Sequence, residues 1–353
     1  MTDNLCYGTD PDNNQEIYLN RKKMSNPHCM IMGAPGSGKI AVMKHEMCQV
    51  IKETEDDVIF LAEHRYPDVE DSGMKQIILG KDKYTINPLD VVITCNDECS
   101  EEPISRIEDI CCCIAVLLSG RELLMHEHIA IAKACKIVMN PYIEECIRMK
   151  KVYDPENNPT FKDICEEVRK IDEEFYSLLN VNNTPLEIML HHKTNVPEID
   201  RLCISSDYDY MTKGFEALCK LTYAHNKAII TGRNKHKATW IYFEDTDIYF
   251  CPKYATAFFP YVFPGFYKRI RMDWGIATCV LSAVPYSDEN FKPYLNNTGL
   301  NIFLALCPID REWIKEYCGI STDILKDGEP GTGIIYDGKN NMRFSVRGTF
   351  PFI

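Results

Sequence analysis

The chain is 353 residues long, 45% hydrophobic and 26% charged, with a formal net charge of −13. This composition supports a large packed core, either one domain or one domain with an insertion, and excludes a disordered or fibrous chain. The acidic balance opposes a broad grip on nucleic acid, because nonspecific affinity for phosphate backbones comes from clustered Lys and Arg.

No run of eighteen or more apolar residues occurs, and Met1-Thr2-Asp3-Asn4 opens without a basic and apolar leader, so a soluble, cytoplasmic chain is expected. In chain order, the first strong signal is Cys29-Met30-Ile31-Met32, which reads as a short buried strand. Gly33-Ala34-Pro35-Gly36-Ser37-Gly38-Lys39 follows, and the periodicity of Ala41 to Ile51 predicts a helix. Strand, glycine loop and helix is the setting of a phosphate-binding loop. Glycines let backbone N–H groups close around phosphate oxygens, the Lys neutralises terminal phosphate charge, and a Ser or Thr after it ligates Mg²⁺. Here that last position is Ile40, which has no lone pair to offer. A glycine turn with an incidental Lys is the alternative reading.

Asp57 to Ala62 and Lys75 to Leu79 suit buried strands. From about Glu102 to Lys193 the texture becomes helical, with Ile107, Ile110, Cys111, Ile114, Leu117 and Leu118 on one face, as expected of an insertion. Alternation then resumes: Leu202 to Ile204 as strand, Lys213 to Ile230 as helix, Ala238 to Phe243 as strand, Tyr254 to Asp273 as helix. Further strands are expected at Ile276 to Leu281, Asn301 to Leu306 and Thr332 to Tyr336, with a helix over Asp310 to Cys318. This pattern predicts an α/β fold with a mainly parallel sheet, its core split as residues 1–100 and 200–353 around a helical subdomain at 101–199.

Ligands of such sheets lie beyond the carboxyl ends of the strands. Thr239-Trp240-Ile241-Tyr242-Phe243 runs into Glu244-Asp245, which makes this pair the candidate magnesium-shell and water-activating carboxylates. Asp247 is a further possibility, and a solvated strand end is the bland alternative. Lys268-Arg269-Ile270-Arg271 is a compact basic cluster. The seventeen cysteines sit in apolar runs and look like small buried hydrophobes; none of the Cys or His spacings suits a zinc site.

The order of these signals resembles the ATPase domain of conjugal-transfer, type IV secretion traffic ATPases, of the VirB-four-like and TraC/TraE-like class. The matching residues are the loop itself, Asn20-Arg21-Lys22 and Asn26-Pro27 before it, Asn87-Pro88-Leu89-Asp90, Asn140-Pro141-Tyr142, His192-Lys193-Thr194-Asn195-Val196, the acidic strand end and a Gly-rich terminus. Similarity spans nearly the whole chain and begins shortly before the loop, so either an excised domain or a gene that keeps only the motor module, without the N-terminal portion through which members contact the secretion machinery, is expected.

The resemblance implies a RecA-like core binding ATP and Mg²⁺, assembled as a hexamer among other secretion components at the inner face of the membrane. It also implies an arginine reaching across to the neighbour's phosphate, for which Arg269 and Arg271 are the candidates. Departures gather in the chemistry. Ile40 replaces the hydroxyl residue, Glu244-Asp245 reverses the family's Asp-Glu order, and Ser282 stands where a Gln that senses the γ-phosphate is usual. Together they point to impaired hydrolysis, or to an inactive subunit with a structural or regulatory role; a DNA-pumping role is opposed by the net charge.

Overall fold

A computed structural model of the chain describes residues 4–67, 69–80, 84–93, 101–206, 212–235, 237–244, 246–283, 295–326 and 328–346. Its strands are β1 (Leu5–Thr9), β2 (Glu16–Leu19), β3 (Cys29–Met32), β4 (Asp57–Leu61), β5 (Lys75–Leu79), β6 (Arg201–Ser206), β7 (Thr239–Phe243), β8 (Gly275–Leu281), β9 (Leu300–Phe303), β10 (Thr332–Tyr336) and β11 (Asn341–Ser345). They form one sheet in the order β2-β1-β11-β10-β9-β3-β8-β7-β4-β6-β5. The seven from β9 to β5 pair in parallel. The four at the other edge are antiparallel.

Every residue of β3, β4, β7 and β8 is buried, as expected of parallel strands covered on both faces. Alternation divides them. Met30 and Met32 join the apolar cluster on one side, Cys29 and Ile31 the cluster on the other. Helix α1 (Lys39–Glu53) packs on the second side. The first side carries α2 (Glu101–Ser119), α3 (Met125–Met149), α4 (Phe161–Ile171), α5 (Glu173–Leu179) and α6 (Leu186–Leu190), all lying between β5 and β6 in the chain, together with α7 (Lys213–Lys235). Cys111, Cys113, Cys135 and Cys165 are buried within that side, as small apolar side chains.

After β7 come a short helix α8 (Asp247–Phe250), then α9 (Pro252–Tyr261) and α10 (Phe263–Met272), before β8. The single helix expected over Tyr254 to Asp273 is therefore two, joined at Val262, whose N–H closes α9 on the Phe258 carbonyl. Pro264, at the second position of α10, cannot continue the hydrogen-bond ladder of α9. Helix α11 (Pro308–Cys318) follows β9. Strands β1, β2 and β11 had no counterpart in the pattern reading; their short, partly exposed sequences lack a clean period.

The two resembling strings at either end of the helical stretch meet in space. Thr194 Oγ1 accepts from the Asn87 N–H at 2.8 Å, Asn195 Oδ1 from the Thr85 N–H at 2.7 Å, and Thr85 Oγ1 donates to the Lys193 carbonyl at 2.7 Å. Lys193 Nζ reaches the Asn158 carbonyl. Asp90, almost fully buried, accepts from Tyr153 Oη at 2.7 Å, while its carbonyl accepts from Asn226 Nδ2 at 2.9 Å. These residues are the joint that seats the helices on the sheet. Burial pushes the Asp90 carboxyl up to about 6, against the pull of its hydrogen bonds and of Arg106 and Lys193.

Candidate phosphate-binding site

The loop between β3 and α1 depends on its three glycines. Gly36 and Gly38 hold φ of +79° and +91°, a region that glycine enters without steric cost. A Cβ on Gly33 would lie 2.4 Å from Ser37 Oγ, and one on Gly38 would lie 2.4 Å from the backbone nitrogen of Gly331. The Gly331 N–H donates to the Ser37 carbonyl at 2.8 Å, and the Ala34 N–H to the Ala305 carbonyl at 2.7 Å. The turn before β10 and the segment after β9 thus brace the loop. The sequence shows only a Gly-rich terminus, as part of the resemblance, and neither its contact with the loop nor that of the Ala305 carbonyl is expected from it.

The first i→i−4 bond of α1 is Val42 to Gly38, at 3.0 Å. The N–H groups of Lys39, Ile40 and Ala41 precede it and point out of the helix start, where the macrodipole favours an anion. Lys39 Nζ donates to the carbonyls of Gly33 at 2.6 Å and Ala34 at 3.0 Å, so the ammonium is folded onto its own loop. Burial lowers its pKa, with Asp247 acting in the opposite sense. Ser37 Oγ is buried and has no hydrogen-bond partner among the described residues. Left-handed glycines, open N–H groups, a poised ammonium and an unsatisfied hydroxyl fit a nucleotide phosphate. Magnesium is served less well. Ile40 is half-buried and packs against the apolar cluster around α1, leaving no oxygen at the position that normally ligates the ion.

The candidate carboxylates part company after β7. Glu244 leans towards β4: its N–H donates to the Leu61 carbonyl at 3.2 Å, Oε2 accepts from the Glu63 N–H at 2.7 Å, and Oε1 accepts from Tyr66 Oη. Burial and this carboxylate push the Tyr66 phenol up. Asp245 lies outside the described residues. Asp247 is carried the other way. The Thr246 N–H and hydroxyl both donate to the Val280 carbonyl of β8, and both Asp247 oxygens accept from the Ser282 N–H at 3.0 Å.

In the sheet, β8 stands between β7 and β3. Glu244 is thus turned away from the loop strand and Asp247 towards it, which agrees with the mutual influence of Asp247 and Lys39. Burial raises the Asp247 carboxyl, and the Ser282 hydrogen bonds and Lys39 oppose this. Ser282, singled out for lacking a Gln side chain, contributes its backbone instead. Beside this, the strand ends of β4 and β7 and the start of α7 enclose a polar cleft of about 160 Å³, bordered by Glu63, Lys213, Glu216 and Lys220. Lys213 pairs with Glu63 at 2.8 Å and Lys220 with Glu216 at 2.7 Å.

Beneath the loop is a buried charge network. Arg21 is fully buried, and its guanidinium donates to both Glu46 oxygens of α1 at 2.6 and 2.8 Å, to Thr278 Oγ1 at 2.6 Å, and to the carbonyls of Ala277 at 2.6 Å and Pro27 at 2.7 Å. Tyr7 Oη also donates to Glu46. Arg21, in the string Asn20-Arg21-Lys22, therefore fixes α1 to β8 and the chain before β3.

Comparison with solved structures identifies this architecture. VirB4 of Thermoanaerobacter pseudethanolicus superposes with a TM-score of 0.79 at 19% identity, over 99% of this chain and 97% of that one. This chain has the VirB4 fold. The bacterial conjugative coupling protein TrwBdeltaN70, in complex with sulphate, aligns with a TM-score of 0.54 at 9% identity, covering 92% of this chain and 87% of that one. TrwB in complex with ADP and Mg²⁺ aligns at 0.52 and 8% identity, over 91% and 86%. These likenesses bear out the α/β class with a mainly parallel sheet and a resemblance of fold to VirB4. No protein-family model matches the chain, and no curated protein matches it in sequence.

The expected basic pair divides. Arg271 is exposed on α10, whereas Arg269 is half-buried and its charge acts on Asp109 of α2. No helix among the described residues is long and apolar enough to cross a membrane.

Proposed function

We propose that this chain is an ATP-binding, motor-type module of a conjugative transfer or type IV secretion apparatus, with weakened use of Mg²⁺ and impaired hydrolysis. The observation that carries the reading is the braced loop Gly33 to Lys39, with its helix-start N–H groups and buried unsatisfied Ser37 hydroxyl, set in a VirB4 fold. Gly33, Ala34, Pro35, Gly36, Ser37, Gly38 and Lys39 hold the phosphates; Lys39 leaves its carbonyl partners to do so, and Ile40 contributes only its N–H.

A bound Mg²⁺ would neutralise charge on the phosphates. Asp247 is the carboxylate oriented to assist it, with Asp245 beside it in sequence; Glu244 orients the strand end through Tyr66 and Glu63. The TrwB structure with ADP and Mg²⁺ supports the cofactor assignment by analogy of fold.

The protein works in the cytoplasm, as a ring of copies, a hexamer by resemblance, or in a mixed assembly with other secretion components at the membrane. In such a ring the exposed Arg271 is the side chain available to a neighbour's phosphate. A second reading, an inactive subunit with a structural or regulatory role, is favoured by two particulars: Ile40 is embedded in apolar packing, and Glu244 has both oxygens committed elsewhere. A phosphate-release assay with Mg-ATP on the chain and on Lys39→Ala separates them. Slow release that Lys39→Ala abolishes supports the motor, and release equal to that of the variant favours the inactive subunit.

A further inference from the structure

At the opposite end of the strands from the phosphate loop, where α7 ends before β7 and α10 turns into β8, a cleft of about 140 Å³ opens between these helices and the start of α2. Arg106, Arg233, Arg269 and His225 line it, with Val92 and Ile229 on the apolar side. A narrower extension shares Arg106, His225 and Arg269 and reaches Asp109. Arg106 and His225 are buried, at 8% and 5% exposed, Arg269 is half-buried and Arg233 is exposed, so the wall runs from the packed interior out to solvent.

The carboxylates that face this wall are Asp273 and Asp109. Asp273 sits 3.5 Å from Arg233 Nε. Burial holds the Asp109 carboxyl up to about 6, with Arg269 opposing. Arg106 Nη2 donates to Asn226 Oδ1 at 2.8 Å. Arg269 makes no hydrogen bond or ion pair among the described residues. His225 is driven well below its ordinary value by burial and by the charges of Arg106 and Arg269, a sign of a local field that favours a negative ligand. In a chain of net charge −13, three guanidiniums share one small cleft against two acids.

We propose that this cleft binds a phosphate-class oxyanion, held by the planar forks of Arg269 and Arg233 with Arg106 behind them. Arginine forks match the oxygens of phosphate in pairs, and such charge-assisted bonds are about twice as strong as neutral ones. The volume suits one phosphate group, free or terminal on a small ester. A whole nucleotide needs a pocket of roughly 300 Å³ or more. The site is separate from the phosphate loop, which lies beyond the carboxyl end of β3.

The test titrates potassium phosphate into the full chain at ionic strength held constant with KCl, reading the melting temperature and the ring resonances of His225. The expected result is saturable stabilisation that survives Lys39→Ala and Lys268→Gln, with the half-saturating concentration raised at least tenfold by Arg269→Gln and also raised by Arg269→Lys. A phenyl phosphate arm reads the ester: competition at the same Arg269-dependent site extends the proposal to esters, and absence of competition restricts it to the free ion. Loss of the effect in Lys39→Ala, unchanged half-saturation in both Arg269 variants, or stabilisation no greater than with KCl overturns the proposal. If Arg269→Gln does not fold, the His225 resonances decide, since phosphate in the cleft must shift them in the unmodified chain and phosphate at the loop must not.

Discussion

Helix α1 meets two regions of unequal condition. Midway along it, Glu46 is gripped by Arg21, Tyr7 and Thr278 in a buried network whose partners are saturated. At its N-terminus the phosphate loop keeps its glycines, its lysine and its bracing by Ala305 and Gly331, yet has Ile40 at the magnesium position. The framework that positions the loop is intact, while its end lacks a side-chain oxygen at position 40. The packing of α1 and the make-up of the loop end can therefore vary independently, because a guanidinium can hold a helix in register without touching the loop.

The largest expected effect tests the intact half. Arg21→Ala leaves Glu46 buried without its partner and should cost about 3–5 kcal/mol in urea denaturation, the range for one-sided removal of a buried pair. A loss below 1 kcal/mol, similar to a surface substitution, would mean that the network does not set the position of α1. Lys39→Ala should do the reverse: stability changes little, while ATP affinity falls at least tenfold, since charge-assisted bonds are worth roughly 1.5–3 kcal/mol.

The two carboxylates after β7 sharpen the contrast further. Asp247→Asn should remove most of whatever Mg²⁺ enhancement of ADP binding exists, whereas Glu244→Gln should lower stability by about 1 kcal/mol through Tyr66 and the Glu63 N–H with a smaller effect on Mg²⁺. Equal effects of the two on Mg²⁺ would place Glu244 in the site after all. Ile40→Thr should raise the Mg²⁺ dependence of nucleotide binding while losing roughly 1 kcal/mol of packing. Unaltered Mg²⁺ dependence would show that the missing hydroxyl is not the limiting defect.

The smallest effect concerns the joint at Asp90. Its carboxyl binds a proton more tightly in the folded chain than at its ordinary value of 3.8. Its contribution to stability is therefore full below about pH 4 and lost as pH rises through about 6. In denaturation series across that window, Asp90→Asn should flatten the slope, and a slope unchanged by the substitution would remove Asp90 as its source.

Much of this was readable in the chain because parallel strands buried on both faces write continuous apolar runs, as at Cys29 to Met32 and Thr239 to Phe243. The phosphate loop was readable because positive φ demands glycine at fixed spacing. The sequence could not tell Glu244 from Asp247, since the choice depends on a two-bond anchorage of Thr246 to Val280 that turns the chain across β8. Nor could it place Arg269, whose half-buried cleft is assembled from α2, α7 and α10. The strings at Asn87 to Asp90 and His192 to Val196 were recognisable by resemblance, yet their role as a hydrogen-bonded joint needed Thr194 beside Asn87.

The most direct test of the central claim is calorimetric titration of ATP into the chain and into Lys39→Ala, each with and without Mg²⁺. Saturable binding to the unmodified chain, strengthened less than tenfold by Mg²⁺ and lost in Lys39→Ala, is the expected result. Binding that Lys39→Ala leaves unchanged, or that requires Mg²⁺ to be seen at all, would contradict it.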